Sequence, residues 1–81
     1  MQMRYDILPY ERVRNLRIDR GLKQREIAEL LNVKTNTYCQ YEVGTLRYPI
    51  DALVKLAVFY SVSVDYLVGL TDDPEPYRKP Q

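Results

Sequence analysis

Side chains able to do covalent or metal chemistry are almost absent from this sequence. It has no histidine and a single cysteine, Cys39. A zinc site draws on a cluster of Cys and His. A Ser-His or Cys-His nucleophile pair needs an imidazole as base. Cys39 alone forms no intrachain disulfide, and no basic or imidazole neighbour in the chain activates its thiol for redox chemistry. Carboxylates remain, but a catalytic pair needs a deep cleft, which 81 residues seldom build. The reading at this point is no enzyme, no metal and no cofactor. What the residues can do is hydrogen-bond. Thr35, Asn36, Thr37 and Gln40 crowd short hydroxyls and amides into a stretch where Thr and Asn are poor helix formers. A segment that breaks propensity in this way suggests a surface chosen for recognition. The second resource is charge. Net charge is only +1, but residues 1–50 hold nine Lys/Arg against six Asp/Glu, and residues 51–81 hold three against five. The basic excess around Arg12, Arg14, Arg17, Arg20, Lys23 and Arg25 suits contact with phosphates, or is simply a solvated helix surface.

The elements that must carry these side chains are short helices. Pro9 suits a first helical turn, and Val13 and Leu16 give the segment Tyr10 to Arg20 one apolar face before Gly21 ends it, with Leu22 as a plug behind the cap. A second helix is predicted over about 24–31, with Ile27, Ala28, Leu30 and Leu31 as its stripe and Asn32 left-handed at its end. After Asn32, Val33 and Lys34, with Val33 pointing inward, a third helix runs over about 35–43 and is closed by Gly44. Tyr38 and Tyr41 anchor one face of it; Thr35, Asn36 and Gln40 fall on the other. Asp51 is expected to cap a fourth helix to about Tyr60, with a stripe of Leu53, Leu56, Ala57 and Tyr60. Ser63 caps a short fifth helix, Val64 to Val68, closed by Gly69, with Asp65 favouring the dipole. No strand signal appears, so the fold class is all-α: a compact five-helix domain over 9–70. It is preceded by a segment 1–8 and followed by a flexible acidic, proline-rich tail, 71–81. Apolar runs stay far short of the roughly 20 residues a membrane helix needs, and the N-terminus lacks a signal-peptide core. The compartment expected is therefore the cytoplasm.

The pair 24–31 and 35–43, joined by a three-residue turn, has helix-turn-helix spacing. Around it lies a distributed pattern: Leu16-Arg17, Gly21-Leu22, Gln24, Ile27-Ala28, Leu31 and Val33, then Tyr41-Glu42, Gly44, Arg47, Pro49, Leu53 and Leu56-Ala57, ending in Val62-Ser63-Val64-Asp65-Tyr66-Leu67 and Gly69. In these residues, over about 11–70, the chain resembles the DNA-binding domain of the Cro/C1-type repressors, the XRE family. The resemblance implies a lambda-repressor-like fold whose second helix crosses the DNA backbone and whose third lies in the major groove.

It also implies roles position by position. Thr35, Asn36 and Gln40 match positions that read base edges, where Asn and Gln suit adenine and Thr suits thymine; Thr35 has helix capping as its ordinary alternative. Gln24 matches a phosphate-binding Gln at a helix N-terminus. Lys23 and Lys34 depart from the usual capping residues and are read as phosphate contacts. Thr37 goes to phosphate or solvent. Arg47 matches a basic clamp on the flanking phosphates, and the Tyr48 hydroxyl assists it. Arg17 and Glu42 match an internal ion pair that sets how the third helix projects. Tyr38 stands where the family has a core Ile, so its ring should pack inward with the hydroxyl at the rim. Cys39 should lie partly exposed on the third helix.

Such proteins bind palindromic operators in double-stranded DNA as homodimers. Val62, Val64, Leu67 and Leu70 are the candidate dimer contacts. The function implied is a small transcriptional regulator, a repressor, at the nucleoid. The alternative on the same fold is an antitoxin or other protein-interaction module, with a toxin or anti-repressor as partner.

Overall fold

The computed structural model describes residues 9–76. The segment 1–8 and the last part of the expected tail, 77–81, lie outside the described residues. Five helices follow one another: α1 Pro9–Asp19, α2 Gln24–Leu31, α3 Thr35–Val43, α4 Ile50–Tyr60 and α5 Val64–Leu67. Among the described residues there is no strand, no helix long and apolar enough to cross a membrane, and no cluster of Cys, Asp or Glu able to hold a metal. α3 packs against α2 and α1, and α5 against α4 and α1. The core between them is Val13, Ile27, Ala28, Leu31, Tyr38, Tyr41, Leu56, Ala57, Tyr60, Val62 and Leu67. The apolar stripes read from helical spacing therefore face one another. Leu16, Leu22, Leu30, Val33 and Leu53 pack half-buried against that core.

One stop signal recurs at every helix end. A residue in the left-handed region follows the helix, and the next N–H reaches back five residues. Leu22 N bonds Arg17 O at 3.0 Å, Val33 N bonds Ala28 O at 3.0 Å and Val62 N bonds Ala57 O at 2.9 Å. The residue that does so is apolar in these three cases and tucks against the core, which fixes where the next helix starts. Glycine fills the left-handed position at three ends, but Asn32 (φ 58°) and Ser61 (φ 57°) fill the others. Asn32 matches expectation; Ser61 carries no sequence signal of that kind.

Helix starts are less regular. Ser63 caps α5 by accepting from Tyr66 N–H at 2.9 Å. α4 starts two residues earlier than expected: Pro49 is its cap and Asp51 sits within the first turn, where its charge favours the helix dipole. The expected tail is tied to the domain over its first residues. Arg12, nearly buried, donates to the carbonyls of Tyr66 and Thr71, each at 2.9 Å, and to Asp72 at 3.3 Å. Its guanidinium lies 4.1 Å from the Tyr66 ring centre. Ser63 N–H donates to Pro74 O at 3.1 Å. Acidic and proline-rich composition does not reveal that a buried arginine in α1 anchors the segment.

Candidate nucleic-acid interface

At about 100° per residue, α3 divides into two arcs. Tyr38, Tyr41 and Glu42 turn inward and are buried. Thr35, Asn36 and Val43 are exposed, and Thr37, Cys39 and Gln40 are half-buried. Thr35, Asn36 and Gln40 thus share one side, spread over about 140° of arc. Val43, 68% exposed, and Cys39, half-buried on the third helix as expected, fall within that same arc, and the family pattern gave no role to Val43. Counting the helical angle from Thr35 would have found Val43.

The N-terminus of α3 carries no side-chain cap. Lys34 holds the cap position in an extended conformation without a capping bond, and Thr35 is the first helical residue. Thr35 is therefore no cap; its hydroxyl stands exposed beside unbonded backbone N–H groups. α2 begins alike. Lys23 occupies its cap, and the Glu26 carboxylate accepts the Lys23 backbone N–H at 2.9 Å. An ammonium has no lone pair to return the bond, so the Lys23 side chain extends outward. Lys23, Lys34 and Arg47 are exposed and Gln24 is half-buried.

Beneath this surface lies a charged hub. Arg17 Nε donates to Glu42 Oε2 at 2.6 Å and its Nη2 to Glu42 Oε1 at 3.0 Å, while Nη1 donates to Leu22 O at 2.8 Å. The expected ion pair is thus a two-pronged bridge from α1 to the end of α3. Gln24 Nε2 donates to Glu42 Oε1 at 3.1 Å, bringing α2 into the same knot. Burial alone pushes the Glu42 carboxyl up, yet the donors around it and the Arg17 charge hold it below the usual carboxylate range. The same bond raises the Arg17 guanidinium against its own burial.

Tyrosines wall the hub. Tyr38 has no exposed surface, and its hydroxyl is buried beside Glu42 rather than at the rim, because α3 seats the whole ring between α1 and the core. Tyr48 is a second correction. Its ring packs on Tyr41, centres 4.8 Å apart, and its hydroxyl is buried, so it cannot reach a phosphate. Its role is to hold the loop carrying Arg47 against α3. Burial raises the Tyr38 and Tyr48 hydroxyls far above the ordinary tyrosine value, and Tyr60 to about 12.

Two other expectations change with burial. Of the basic cluster, Arg12 is committed to the tail and Arg17 to Glu42; Arg14, Arg20, Lys23 and Arg25 are exposed, Arg20 donating to Tyr60 O at 3.1 Å. Of the four candidate dimer residues, Leu67 and Val62 are core: α5 packs on α4 and α1 with Leu67 buried, and Val62 tucks in behind the end of α4. Val64 is half-buried and Leu70 is 54% exposed. The larger apolar surface is on α4, where Val58 is 75%, Val54 48% and Phe59 43% exposed.

Comparison with known proteins places these features in a family. A helix-turn-helix family model matches residues 13–67. The HTH-type transcriptional regulator YobD of Bacillus subtilis is 44% identical over 66 residues, which make up 82% of this chain and 59% of that protein. The cryptic phage CTXphi transcriptional repressor RstR of Vibrio cholerae is 42% identical over 58 residues, 72% of this chain and 52% of the relative. The crystal structure of a transcriptional regulator from Listeria innocua aligns with a TM-score of 0.75 at 33% identity, over 98% of this chain and 65% of that one. The chain spans about half the length of the two named relatives.

Proposed function

The chain belongs to the helix-turn-helix family of Cro/C1 type, the XRE family, and from that premise we propose that it binds double-stranded DNA sequence-specifically as a transcriptional repressor. The observation that carries this reading is the arc of α3. Thr35, Asn36 and Gln40 face outward on a helix whose opposite side is locked into the core by Tyr38, Tyr41 and Glu42. In the proposed complex α3 enters the major groove. Asn36 and Gln40 read base edges through their amides, and Thr35 through its hydroxyl and methyl. Lys23, Lys34 and Arg47 contact phosphates as cations; Gln24 and Thr37 do so as neutral donors. The N-terminal dipoles of α2 and α3 add to this.

The assembly we propose is a homodimer on a palindromic operator, working in the cytoplasm at the nucleoid. Val64 remains a contact in this reading. It adjoins Val54 and Val58 along one open apolar groove, so the dimer surface extends onto α4. Val58→Lys should then weaken self-association, read as a shift toward monomer in sedimentation. The second reading, an antitoxin or protein-interaction module, draws on that same α4 face. Salt separates the two, because phosphate contacts weaken steeply with ionic strength and an apolar interface does not.

The deciding test is selection from a random duplex library, with the wild type beside Gln40→Ala. The expected result is an enriched palindrome whose bases relax at particular positions in the variant. No enrichment at low salt overturns DNA binding.

A further inference from the structure

Cys39 plays no part in the reading above, yet it touches a residue that does. Its Sγ–H donates to Gln24 Oε1 at 2.9 Å, while Gln24 Nε2 donates to Glu42 Oε1 at 3.1 Å. Cys39 and Glu42, both on α3, therefore grip opposite ends of one amide on α2. The two grips differ in kind. Glu42 is buried and immobilised by Arg17, so it supplies a fixed acceptor. A single bond to that acceptor leaves the amide able to swing about it. A second bond, made at the other end, fixes the amide plane. The sense of the amide is set by Glu42, whose carboxylate only accepts and so faces the nitrogen, which leaves the carbonyl end to accept from the thiol.

An amide carries two N–H donors. One is committed to Glu42, so fixing the plane also fixes the direction of the other. We propose that Cys39 is a positioning residue: its thiol locks the Gln24 side chain so that the second Nε2–H is held ready for a backbone phosphate oxygen. This rests on the proposed phosphate contact of Gln24. A thiol is a weak donor, so its effect is order rather than strength. The side chain that meets the phosphate is arranged before binding, and less freedom is lost on association. Cys39 and Gln24 are both half-buried, so the lock is sheltered while the amide remains within reach of a ligand.

The test uses the full chain and two independent readouts. The first is the mobility of the Gln24 side-chain amide in ¹⁵N relaxation, without DNA. The second is affinity for a fluorescein-labelled duplex recovered from the selection above. Cys39→Ala removes the donor and should loosen the amide toward the flexible regime, with an order parameter below about 0.6. It should also weaken binding by about three- to tenfold. Cys39→Ser keeps a donor and should restore both. Gln24→Ala should weaken binding at least as much, and adding Cys39→Ala to it should have no further effect. An amide as rigid in Cys39→Ala as in wild type overturns the lock, whatever the affinity does. A loss in Cys39→Ser equal to that in Cys39→Ala overturns the donor role. Loosening in Cys39→Ala, with affinity unchanged there and in Gln24→Ala, overturns the phosphate contact of Gln24, and the functional role of Cys39 with it.

Discussion

Arg17→Met tests whether the hub beneath α3 works as the geometry implies. The substitution keeps most of the aliphatic stem and removes the cation. It deletes the 2.6 Å and 3.0 Å bonds to Glu42 and the 2.8 Å bond to Leu22 O. The Glu42 side chain, 2% exposed, then keeps its carboxylate with Gln24 as its remaining well-aligned donor. Breaking a buried pair in this way costs about 3–5 kcal/mol. Protonation limits the charge part of that loss, since neutralising a carboxyl of ordinary pKa costs about 3.7 kcal/mol at about pH 7. A domain of this size has on the order of 4–12 kcal/mol in total, so the variant should be marginal. The pH dependence carries the sign. In the wild type the Glu42 pKa is lowered on folding, so its contribution is complete above the unfolded value of about 4.3 and fades as pH falls through the folded value. In the variant burial acts without Arg17 and raises the folded pKa, so stability is lost as pH rises through that value. Both effects narrow the gap on acidification. Urea unfolding followed by helical circular dichroism should give a difference of about 3–4 kcal/mol near neutrality, shrinking severalfold at about pH 4.5. A companion, Arg17→Met with Glu42→Met, removes the charge and its partner together and should recover most of the loss. A difference equal at both pH values, or a double variant as unstable as the single one, would refute the reasoning.

Three smaller perturbations follow from the same contacts. Ser63→Ala removes the side-chain cap of α5 and should destabilise by about 1 kcal/mol, seen as a lower urea midpoint with unchanged slope. Ser61→Gly should move that midpoint upward. The left-handed conformation at Ser61 costs a non-glycine residue about 1–2 kcal/mol, and the added unfolded-state freedom of glycine offsets about 0.5–1 kcal/mol of the gain. Lys34→Ala should weaken binding to all duplexes alike and reduce the slope of log affinity against log salt by about 2 for the dimer, about 1 per protomer, as a phosphate contact requires. A change confined to particular base positions would instead make Lys34 a base reader.

The helices were legible because their signals are local. Spacing of Val13 with Leu16, and of Leu56 with Ala57 and Tyr60, gives a face, and Gly21, Asn32 and Gly44 give stops. The Arg17–Glu42 bridge was legible only through resemblance, since 25 residues separate its partners and nothing in either neighbourhood marks them. The misreadings share one cause, the burial of polar groups by distant chain. Arg12 looks like a surface cation until Thr71 and Tyr66, more than 50 residues away, meet its guanidinium. Tyr48 looks like a phosphate contact beside Arg47 until its ring is seen against Tyr41. Leu67 looks like a spare apolar side chain until α5 is folded onto α1 and α4. The Gln24–Cys39 contact belongs to the same class, because it exists only once α2 and α3 cross.

These burials change what the near-neutral net charge means for DNA binding. A count of Lys and Arg in residues 1–50 suggests a broad phosphate-binding surface, but Arg12 and Arg17 are held internally by carbonyls and carboxylates, while Arg20 stays exposed with one bond to a carbonyl. Arg12 and Arg17 stiffen the scaffold and release no counterions. If Lys23, Lys34 and Arg47 carry the ionic contacts, a protomer neutralises three phosphates and a dimer six. Counterion release then predicts a slope of log affinity against log salt of about −5. Gln24 and Thr37 add donors but nothing to that slope, being uncharged. The affinity so obtained is modest and insensitive to sequence, which leaves discrimination to the arc of Thr35, Asn36 and Gln40 and to how rigidly the hub presents it. A measured slope of about −9 would mean that two more cations per protomer, from the exposed Arg14, Arg20 and Arg25 on and beside α1 and α2, also lie on the DNA, and the docking surface would have to extend along those two helices.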